Sequence, residues 1–267
     1  MTLKIFDTKA TIFSKNKAFK NWENHNFIYK KFAKIFFQKI IEVNSNFKNI
    51  LLITSDSEEL LNEIKNLKFE NLIVLSEFEF LQSKKNYNNN VSKLIGNFFP
   101  MPIKGKYDLI ISNLCLHRID DIYKLGLQIK GLLNKNGVFF CSYFGGKTLI
   151  ELRNSFIRSD EILKKKVYQR IIPYIDMIDA GNIFSKIGFK EIVSDIASFN
   201  IKYNSVYDLL MDIKGIGENN CLLKRNKSLT TKNLINGVND AYFKYYSDSQ
   251  KKLKATCEII SLTMWGN

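Results

Sequence analysis

Two runs of consecutive apolar residues in the middle of the chain constrain the fold most. The first occupies Tyr107 to Asn113 and the second Val138 to Phe144, with a helical stretch and the turn sequence Asn134 to Gly137 between them. Strands that are apolar at successive positions are typical of parallel strands covered by helices on both faces. The pattern therefore predicts strand, helix and strand within an α/β, doubly wound, mostly parallel sheet.

Such a sheet also indicates where a ligand would bind. In doubly wound sheets, ligands bind outside the carboxyl ends of the strands, near the point where the strand order reverses. The segments Ser112 to His117 and Tyr143 to Thr148 follow two predicted strands at this edge. They are the first candidates for a functional site.

The remaining pattern extends the same architecture. Apolar residues at three- and four-residue spacing predict a helix over Phe27 to Val43. Thr148, three residues before Glu151, predicts a capping box at the start of another helix. Further strands are predicted at residues 49–54, 72–75, 91–95, 189–195, 199–203 and 257–265.

The charge of the chain leaves two explanations open. Forty Lys and Arg residues against 26 Asp and Glu residues give a formal net charge of +14, which raises the question of a nucleic-acid or anionic partner. The lysines are scattered, and the abundance of Lys, Asn, Ile and Phe is typical of an AT-rich genome. Genome bias or a functional basic face would each account for the charge, and nucleic acid is not the favoured partner.

Cysteine usage and hydropathy bear on the compartment. The four cysteines are far apart without a C-x-x-C pair, and there are two histidines, so a metal site is not expected. The sequence shows neither a signal peptide nor an apolar run of the roughly 18 residues that span a membrane. We therefore expect a cytoplasmic protein in a reducing compartment, without a membrane span.

Several segments of the chain are distinctive in sequence. They are I-F-D at 5–7, Y-D-L-I-I-S-N-L-C-L-H at 107–117, F-G-G-K-T-L-I-E-L-R at 144–153, P-Y-I-D-M-I-D-A-G-N-I-F-S-K-I-G-F at 173–189, D-L-L-M-D-I-K-G-I-G-E-N-N at 208–220 and A-T-C-E-I-I at 255–260. These segments resemble the class I methyltransferase family, in the branch of bacterial methyltransferase-like proteins. This branch is related to the mitochondrial complex I assembly factor of methyltransferase fold and, more distantly, to the malonyl-carrier-protein methyltransferase of biotin synthesis. The resemblance covers nearly the whole chain.

The resemblance implies a seven-stranded, Rossmann-like sheet with S-adenosylmethionine across the carboxyl ends of its first four strands. It also implies one methyltransferase-like domain over residues 1–267, with N-terminal helices at 1–45, a cofactor-side half at 46–150 and a substrate-side half with a helical insert at 151–267. The cofactor positions carried over from the family are Thr54, Ser55, Asp56, Ser76, Glu77, Gly96, Asn97, Asn113, Leu114 and Leu116.

The chain departs from the family at the turn after the first strand. The family has an acidic residue and a glycine-rich turn there, because glycine lets the backbone approach the methionine part of the cofactor. This chain has Leu52-Ile53-Thr54-Ser55-Asp56-Ser57-Glu58 instead. Asp56 and Glu58 are expected to repel the cofactor's carboxylate. The family has an acidic residue for the ribose hydroxyls at the end of strand two, and here Glu77 lies one position later in the sequence. The family's acidic residue for the adenine amino group is replaced by Gly96 or Asn97.

Other residues are candidates for chemistry at the same edge. His117 could act as a general base or could orient the loop that follows strand four. Arg153 could clamp a substrate carboxylate or pair with an acid, and Glu218-Asn219 could form a simple turn or a substrate lid. The predicted substrate-binding residues are Tyr143, Gly145, Gly146, Arg153 and Tyr174.

Two functions remain as alternatives at this level. The first is an S-adenosylmethionine-dependent methyltransferase with a small-molecule or protein acceptor and a degenerate glycine motif, in which proximity and orientation drive the transfer. The second is a catalytically inactive protein of the same fold that binds a partner, for example as an assembly factor for a respiratory-complex subunit.

Overall fold

We describe residues 3–56, 58–78 and 90–266 of the chain from a computed structural model. Eight α-helices and seven strands lie within these ranges. In chain order they are α1 (Thr8–Phe19), α2 (Phe27–Val43), β1 (Asn46–Thr54), α3 (Glu59–Ile64), β2 (Lys68–Ser76), β3 (Val91–Ile95), β4 (Tyr107–Asn113), α4 (Ile122–Leu132), β5 (Leu133–Phe144), α5 (Ile150–Lys164), α6 (Met177–Ile187), β6 (Lys190–Tyr203), α7 (Val206–Gly215), α8 (Lys232–Tyr246) and β7 (Leu253–Trp265).

The strands form one sheet in the order β3-β2-β1-β4-β5-β7-β6. Neighbouring strands from β3 to β5 pair in parallel, whereas β7 is antiparallel to both β5 and β6. The order reverses between β1 and β4, which lie side by side in the centre. This confirms the predicted parallel sheet and puts its topological switch point at the carboxyl ends of β1 and β4.

Helices cover both faces of the sheet, as the continuous apolar strands predict. The ring of Phe140 on β5 packs edge-on against Phe36 of α2 at 6.1 Å, and the ring of its neighbour Phe139 packs against Phe184 of α6 at 5.8 Å. Successive residues of a strand point to opposite faces. Therefore α2 and α6 lie on opposite sides of β5, which confirms the doubly wound fold.

A second, smaller core lies beside the main one. It joins α5, α7 and α8 to the first residues of β7, and includes Leu152, Leu209, Val238 and Leu253. This core anchors the helical part of the C-terminal half to the long β6–β7 pair. Because β7 residues from Leu253 pair with β6 alone before β7 reaches β5, the pair extends past the end of β5 at the ligand-binding edge.

The predicted capping box at Thr148 is wrong. Helix α5 follows Leu149, which has a positive φ and whose side chain forms no capping hydrogen bond. The Thr148 hydroxyl donates to the Glu258 carbonyl at 2.8 Å, and the Glu151 carboxylate accepts from the N–H and hydroxyl of Thr256 at 3.0 and 2.5 Å. Both side chains therefore fasten the helix to β7, because that buried strand offers them stronger partners than the helix terminus.

Two other local predictions are also corrected. The late strands predicted at 189–195 and 199–203 are one continuous strand, β6, most of whose residues are exposed or half-buried. The turn predicted at Asn134 to Gly137 lies inside β5 as an irregularity in the pairing with β4, between the pairs Tyr107–Leu133 and Leu109–Val138.

Two structural facts concern the cysteines and the apolarity of the helices. All four cysteines are free and buried. Within the described ranges, no helix has both the length and the apolarity that a membrane span requires.

Candidate functional site

A cavity of about 350 Å³ lies at the carboxyl ends of β1, β2 and β4. We call it the strand-end cavity. Ser55, Glu77, Asn97 and Leu114 line it from the loops that follow β1 to β4, and α1 closes it from the other side through residues that include Lys15. The predicted edge of the sheet therefore does carry a concave site large enough for a ligand of nucleoside size.

Glu77 forms one polar wall of the strand-end cavity. Its Oε1 accepts a hydrogen bond from the Phe98 N–H at 2.8 Å, which fixes the carboxyl group while its second oxygen stays available to a ligand. Burial raises the pKa of Glu77, partly opposed by that N–H. The ring of Phe98 packs edge-on against Phe78 at 5.9 Å, and both rings line the cavity. Carboxyl oxygens beside aromatic rings suit a ribose diol and an adenine face.

The described residues of the turn after β1, Thr54 to Asp56 and Glu58, are buried although the turn lacks glycine. The Ser55 hydroxyl donates to the Leu114 carbonyl at 2.7 Å, and the Thr54 hydroxyl accepts from the Asp56 N–H at 3.2 Å. Leu114 has φ of 51°, a left-handed conformation that is uncommon for a leucine and suggests a constrained site. Among the described residues of this turn, Ser55 alone lines the strand-end cavity. Ser57 is not one of the described residues.

The repulsion predicted from Asp56 and Glu58 stays a prediction, and the contacts of both groups weigh against it. Burial, together with the nearby Glu59 carboxylate, raises the pKa of Asp56 to about 8, which favours its neutral form at pH 7. Its Oδ2 accepts a hydrogen bond from Asn113 Nδ2 at 2.6 Å. The Glu58 carboxylate lies 3.1 Å from the ammonium of Lys93. The turn therefore presents little free negative charge to the cavity.

Glu218, in the loop after α7, contributes another carboxylate to the lining of the cavity. It accepts hydrogen bonds from Arg118 Nη2 at 2.6 Å, from the Tyr29 hydroxyl at 3.0 Å and forms an ion pair with Lys15 Nζ at 2.7 Å. Although burial acts to raise it, the pKa of Glu218 is well below its ordinary value, because Arg118, Lys15 and His117 stabilise the anion. Glu218 is therefore ionised under all physiological conditions.

His117 belongs to the same group of residues but is screened from solvent. Its Nε2 lies 3.2 Å from Glu218 Oε2, and its ring packs against Phe144 at 5.0 Å and Tyr174 at 6.0 Å. Burial lowers the pKa of His117, against the opposing effect of Glu218, so the ring is neutral at pH 7. These contacts favour a role in holding Glu218, and a role as general base stays a prediction.

The predicted cofactor residues divide into two groups. Ser55, Glu77, Asn97 and Leu114 line the strand-end cavity. Thr54, Asp56, Ser76, Gly96, Asn113 and Leu116 do not line it and lie behind its wall. Asn113 supports the wall by bonding both Asp56 and the Ser142 hydroxyl, and Gly96 packs closely on Pro102. Of the two alternatives for the adenine position, Asn97 is the one in the cavity.

The predicted substrate residues do not converge on one site. Tyr174 lines a second cavity of about 250 Å³, which we call the α5 cavity because Leu149, Leu152 and Phe156 form one wall. Arg153 lines a separate cavity of about 430 Å³. Tyr143, Gly145 and Gly146 line neither the strand-end cavity nor the α5 cavity. A Cβ on Gly145 would lie 2.6 Å from Glu258 Oε1, so the glycine serves close packing against β7.

Sequence reasoning missed Lys15, Tyr29 and Arg118. Lys15 and Tyr29 lie on helices predicted to pack on the sheet, where a lysine carries no signal of burial. Arg118 directly follows His117, and the sequence indicates only a turn or a lid for Glu218. The contacts of the three missed residues with Glu218 depend on the fold, because residues 29 and 218, for example, are 189 positions apart.

The sheet order, the two covered faces and the strand-end cavity define a class I methyltransferase fold. The YcgJ protein of Bacillus subtilis matches with a TM-score of 0.58 and 12% identity, over 87% of this chain and 98% of that one. The plantazolicin methyltransferase BamL, in complex with a desmethyl analog and SAH, matches with a TM-score of 0.51 and 11% identity, over 97% and 96%. Identities this low show a shared fold alone.

Sequence relatives narrow the comparison. The chain is 30% identical over 168 residues to arginine-hydroxylase NDUFAF5, mitochondrial, of Rattus norvegicus, covering 63% of this chain and 48% of that protein. It is 27% identical over 185 residues to malonyl-[acyl-carrier protein] O-methyltransferase of Xylella fastidiosa (strain M23), covering 69% and 60%. The chain thus spans about half the length of the curated relatives it matches. No family model matches. The matches confirm the resemblance to the class I methyltransferase family.

Proposed function

We propose that this chain binds S-adenosylmethionine in the strand-end cavity and serves as a methyltransferase for a small-molecule or protein acceptor. The observation that carries the proposal is the pairing of Glu77 with the Asn97–Phe98 segment in one cavity at the topological switch point. When bound, the cofactor would supply an electrophilic methyl group on its sulfonium. The chain's own residues supply binding and orientation.

The residues present fit the adenosyl half of the cofactor. Glu77 keeps one carboxyl oxygen for ribose hydroxyls, since its other oxygen is occupied by the Phe98 N–H. The amide of Asn97 can accept from and donate to an adenine edge. At the other end of the same cavity, Lys15 and Arg118 provide cationic groups, which suit a carboxylate. The methionine half therefore depends on side chains rather than on a glycine turn.

The acceptor would approach from the α5 cavity. Tyr174 and Glu218 both line it, and Glu218 also lines the strand-end cavity. An acceptor in the α5 cavity would therefore be separated from the cofactor by the Glu218 side chain. A relative named for arginine hydroxylation and one named for malonyl-carrier-protein methylation are consistent with acceptors of different chemistry at this position in the fold.

Titration calorimetry with S-adenosylmethionine and S-adenosylhomocysteine tests the proposal. We expect micromolar binding by the wild type, and at least a roughly tenfold loss in Glu77→Ala, because hydrogen bonds to a charged group contribute about 1.5–3 kcal/mol. Glu70→Ala is the matched control, since Glu70 lies exposed on the same strand, β2. Absence of heat with either compound at millimolar concentration would refute the proposal.

A second candidate is a non-catalytic binding role, for example in the assembly of a respiratory-complex subunit. The observation that favours it is the occupation of the cationic end of the cavity by Glu218. Incubation with S-adenosylmethionine labelled in its methyl group and a cell extract, followed by mass spectrometry, separates the candidates. Label transfer to an acceptor supports the enzyme. Cofactor binding without any labelled acceptor supports the binding role.

A further inference from the structure

The cluster around Glu218 joins two basic side chains to one acidic side chain. Within the part of the chain that the structure describes, Glu218 is the one carboxylate within salt-bridge distance of Lys15 or Arg118. Their side chains are 1% and 8% exposed, and that of Glu218 is 6% exposed. Burial lowers the pKa of Lys15, and the nearby Glu218 opposes this effect. Because buried charges are costly unless they are paired, both basic groups depend on the same carboxylate.

One donor group of this cluster is unused. Nη1 of Arg118 is buried and has no hydrogen-bond partner among the described residues, whereas Nη2 of the same guanidinium bonds Glu218. Arg118 and Lys15 both line the strand-end cavity, as does Glu77. A guanidinium group with one NH₂ group that has no partner can donate a hydrogen bond to a second carboxylate oxygen.

We infer that Lys15 and Arg118 form a carboxylate-binding subsite, and that Glu218 is its internal occupant, which a carboxylate-bearing ligand displaces. The inference rests on the proposed function in one respect: the ligand carboxylate that fits the cavity together with an adenosyl group is that of the cofactor's amino-acid part. Exchange of one carboxylate for another preserves the ion pairs of both cations. The free Nη1 then adds a bond that Glu218 does not make.

The displacement would also change the boundary between two cavities. Glu218 lines both the strand-end cavity and the α5 cavity. Its loop is held by Arg118 Nη2, which donates to the carbonyls of Gly217 at 3.2 Å and Asn219 at 3.3 Å. Gly217 has φ of 68°, and a Cβ there would lie 2.9 Å from the Lys15 Cα. Release of Glu218 from Lys15 and Arg118 would therefore move its side chain from the boundary between the two cavities, whereas the backbone bonds of Arg118 to Gly217 and Asn219 can keep the loop in place.

Two ligands that differ in the amino-acid part test the subsite. S-adenosylhomocysteine carries the carboxylate, and 5′-methylthioadenosine keeps the adenosyl and thioether groups without it. In Arg118→Gln, the balanced Lys15–Glu218 pair remains, so the variant should fold. We expect calorimetry to show roughly tenfold weaker binding of S-adenosylhomocysteine, from the loss of a charged hydrogen bond, and less than a twofold change for 5′-methylthioadenosine.

Glu218→Gln tests the competition directly. Removal of the internal carboxylate should tighten binding of S-adenosylhomocysteine by roughly tenfold and leave 5′-methylthioadenosine unchanged. Asp212→Asn is the matched control, because Asp212 lies on α7, pairs with His25 at 2.6 Å and does not line the strand-end cavity. It should change neither affinity.

The outcomes separate this inference from the proposed function. If both nucleosides bind and neither variant changes their ratio of affinities, the subsite is refuted and the proposed function stands. If neither nucleoside binds any variant, the proposed function fails, and thermal unfolding decides the subsite. Sodium acetate should then stabilise Glu218→Gln more than sodium chloride of the same ionic strength does. Equal stabilisation by the two salts would refute the subsite.

Discussion

Replacement of Asp56 by asparagine should remove a pH-dependent loss of stability. The folded protein holds the buried Asp56 carboxyl with a pKa of about 8, because of burial and the nearby Glu59, against an ordinary value of 3.8. A group whose pKa is raised on folding contributes its full stability below the unfolded pKa and loses it as the pH rises through the folded pKa. Asparagine has no proton to lose, so Asp56→Asn should be free of this loss.

The size of the effect follows from the shift. The difference between about 8 and 3.8 is about 4 pH units, and each unit corresponds to about 1.4 kcal/mol, so the loss reaches at most about 6 kcal/mol. Between pH 5 and pH 8, the wild type should lose about 3 to 4 kcal/mol of unfolding free energy through this group. The difference in stability between Asp56→Asn and the wild type should grow by the same amount over that range.

Urea unfolding followed by circular dichroism at pH 5, 6, 7 and 8 measures this difference. Asp240→Asn is the control, because Asp240 is exposed on α8, and its difference from the wild type should stay flat. Parallel stability curves for Asp56→Asn and the wild type would refute the reasoning. They would mean that Asp56 is ionised in the folded state, and the repulsion expected from the sequence at the glycine-free turn would then apply.

Two further predictions concern the contacts with β7. Gly145→Ala should lower the unfolding free energy by about 1–3 kcal/mol in urea titrations, because its Cβ would lie 2.6 Å from a buried carboxylate oxygen. Gly146→Ala should have no such cost, because no atom lies within 4 Å of the added Cβ. Equal effects of the two substitutions would contradict this prediction. Glu151→Gln should cost about 1–3 kcal/mol, because the carboxylate accepts two hydrogen bonds from Thr256, and Glu161→Gln, exposed on the same helix, should be neutral by the same measurement.

The sheet could be predicted from the sequence because its signal is local. Each central strand is a short apolar run, such as Ile50 to Ile53, which becomes fully buried between two helical layers. Strand β6 gave a weaker signal for a physical reason: it is an edge strand that pairs with β7 alone, and residues such as Val193 and Ile196 are exposed. Its continuity comes from backbone pairing, which leaves no pattern in the side chains.

The capping box failed for the opposite reason. Thr148 and Glu151 have the correct spacing, but the partners that satisfy them lie 110 and 105 residues away on β7. The capping-box rule assumes that only water competes with the helix terminus for these two side chains. In the fold, buried groups of β7 also need hydrogen bonds, and they bind the same side chains. Tertiary partners of this kind cannot be read from spacing.

The residues of the candidate site were accessible from the sequence only in part. Four cofactor positions carried over from the resemblance, Ser55, Glu77, Asn97 and Leu114, line the strand-end cavity, and their role in cofactor binding stays a prediction. The resemblance could not identify Lys15 and Arg118, because their importance arises from the shared carboxylate of Glu218. A lysine on an amphipathic helix indicates a solvated face by default, and only the three-dimensional contact with Glu218 reverses that interpretation.

The loss of glycine after β1 therefore has a smaller consequence than the sequence suggests. A glycine turn binds the cofactor's methionine part through backbone approach. In the proposed binding mode, Lys15 and Arg118 would bind this part instead, and their charged hydrogen bonds are stronger than those of neutral backbone groups. Because Glu218 already pairs with both groups, a ligand gains only the difference between the bonds of its own carboxylate and those of Glu218. Affinity at this site should therefore depend more on Glu218 than on the missing glycines.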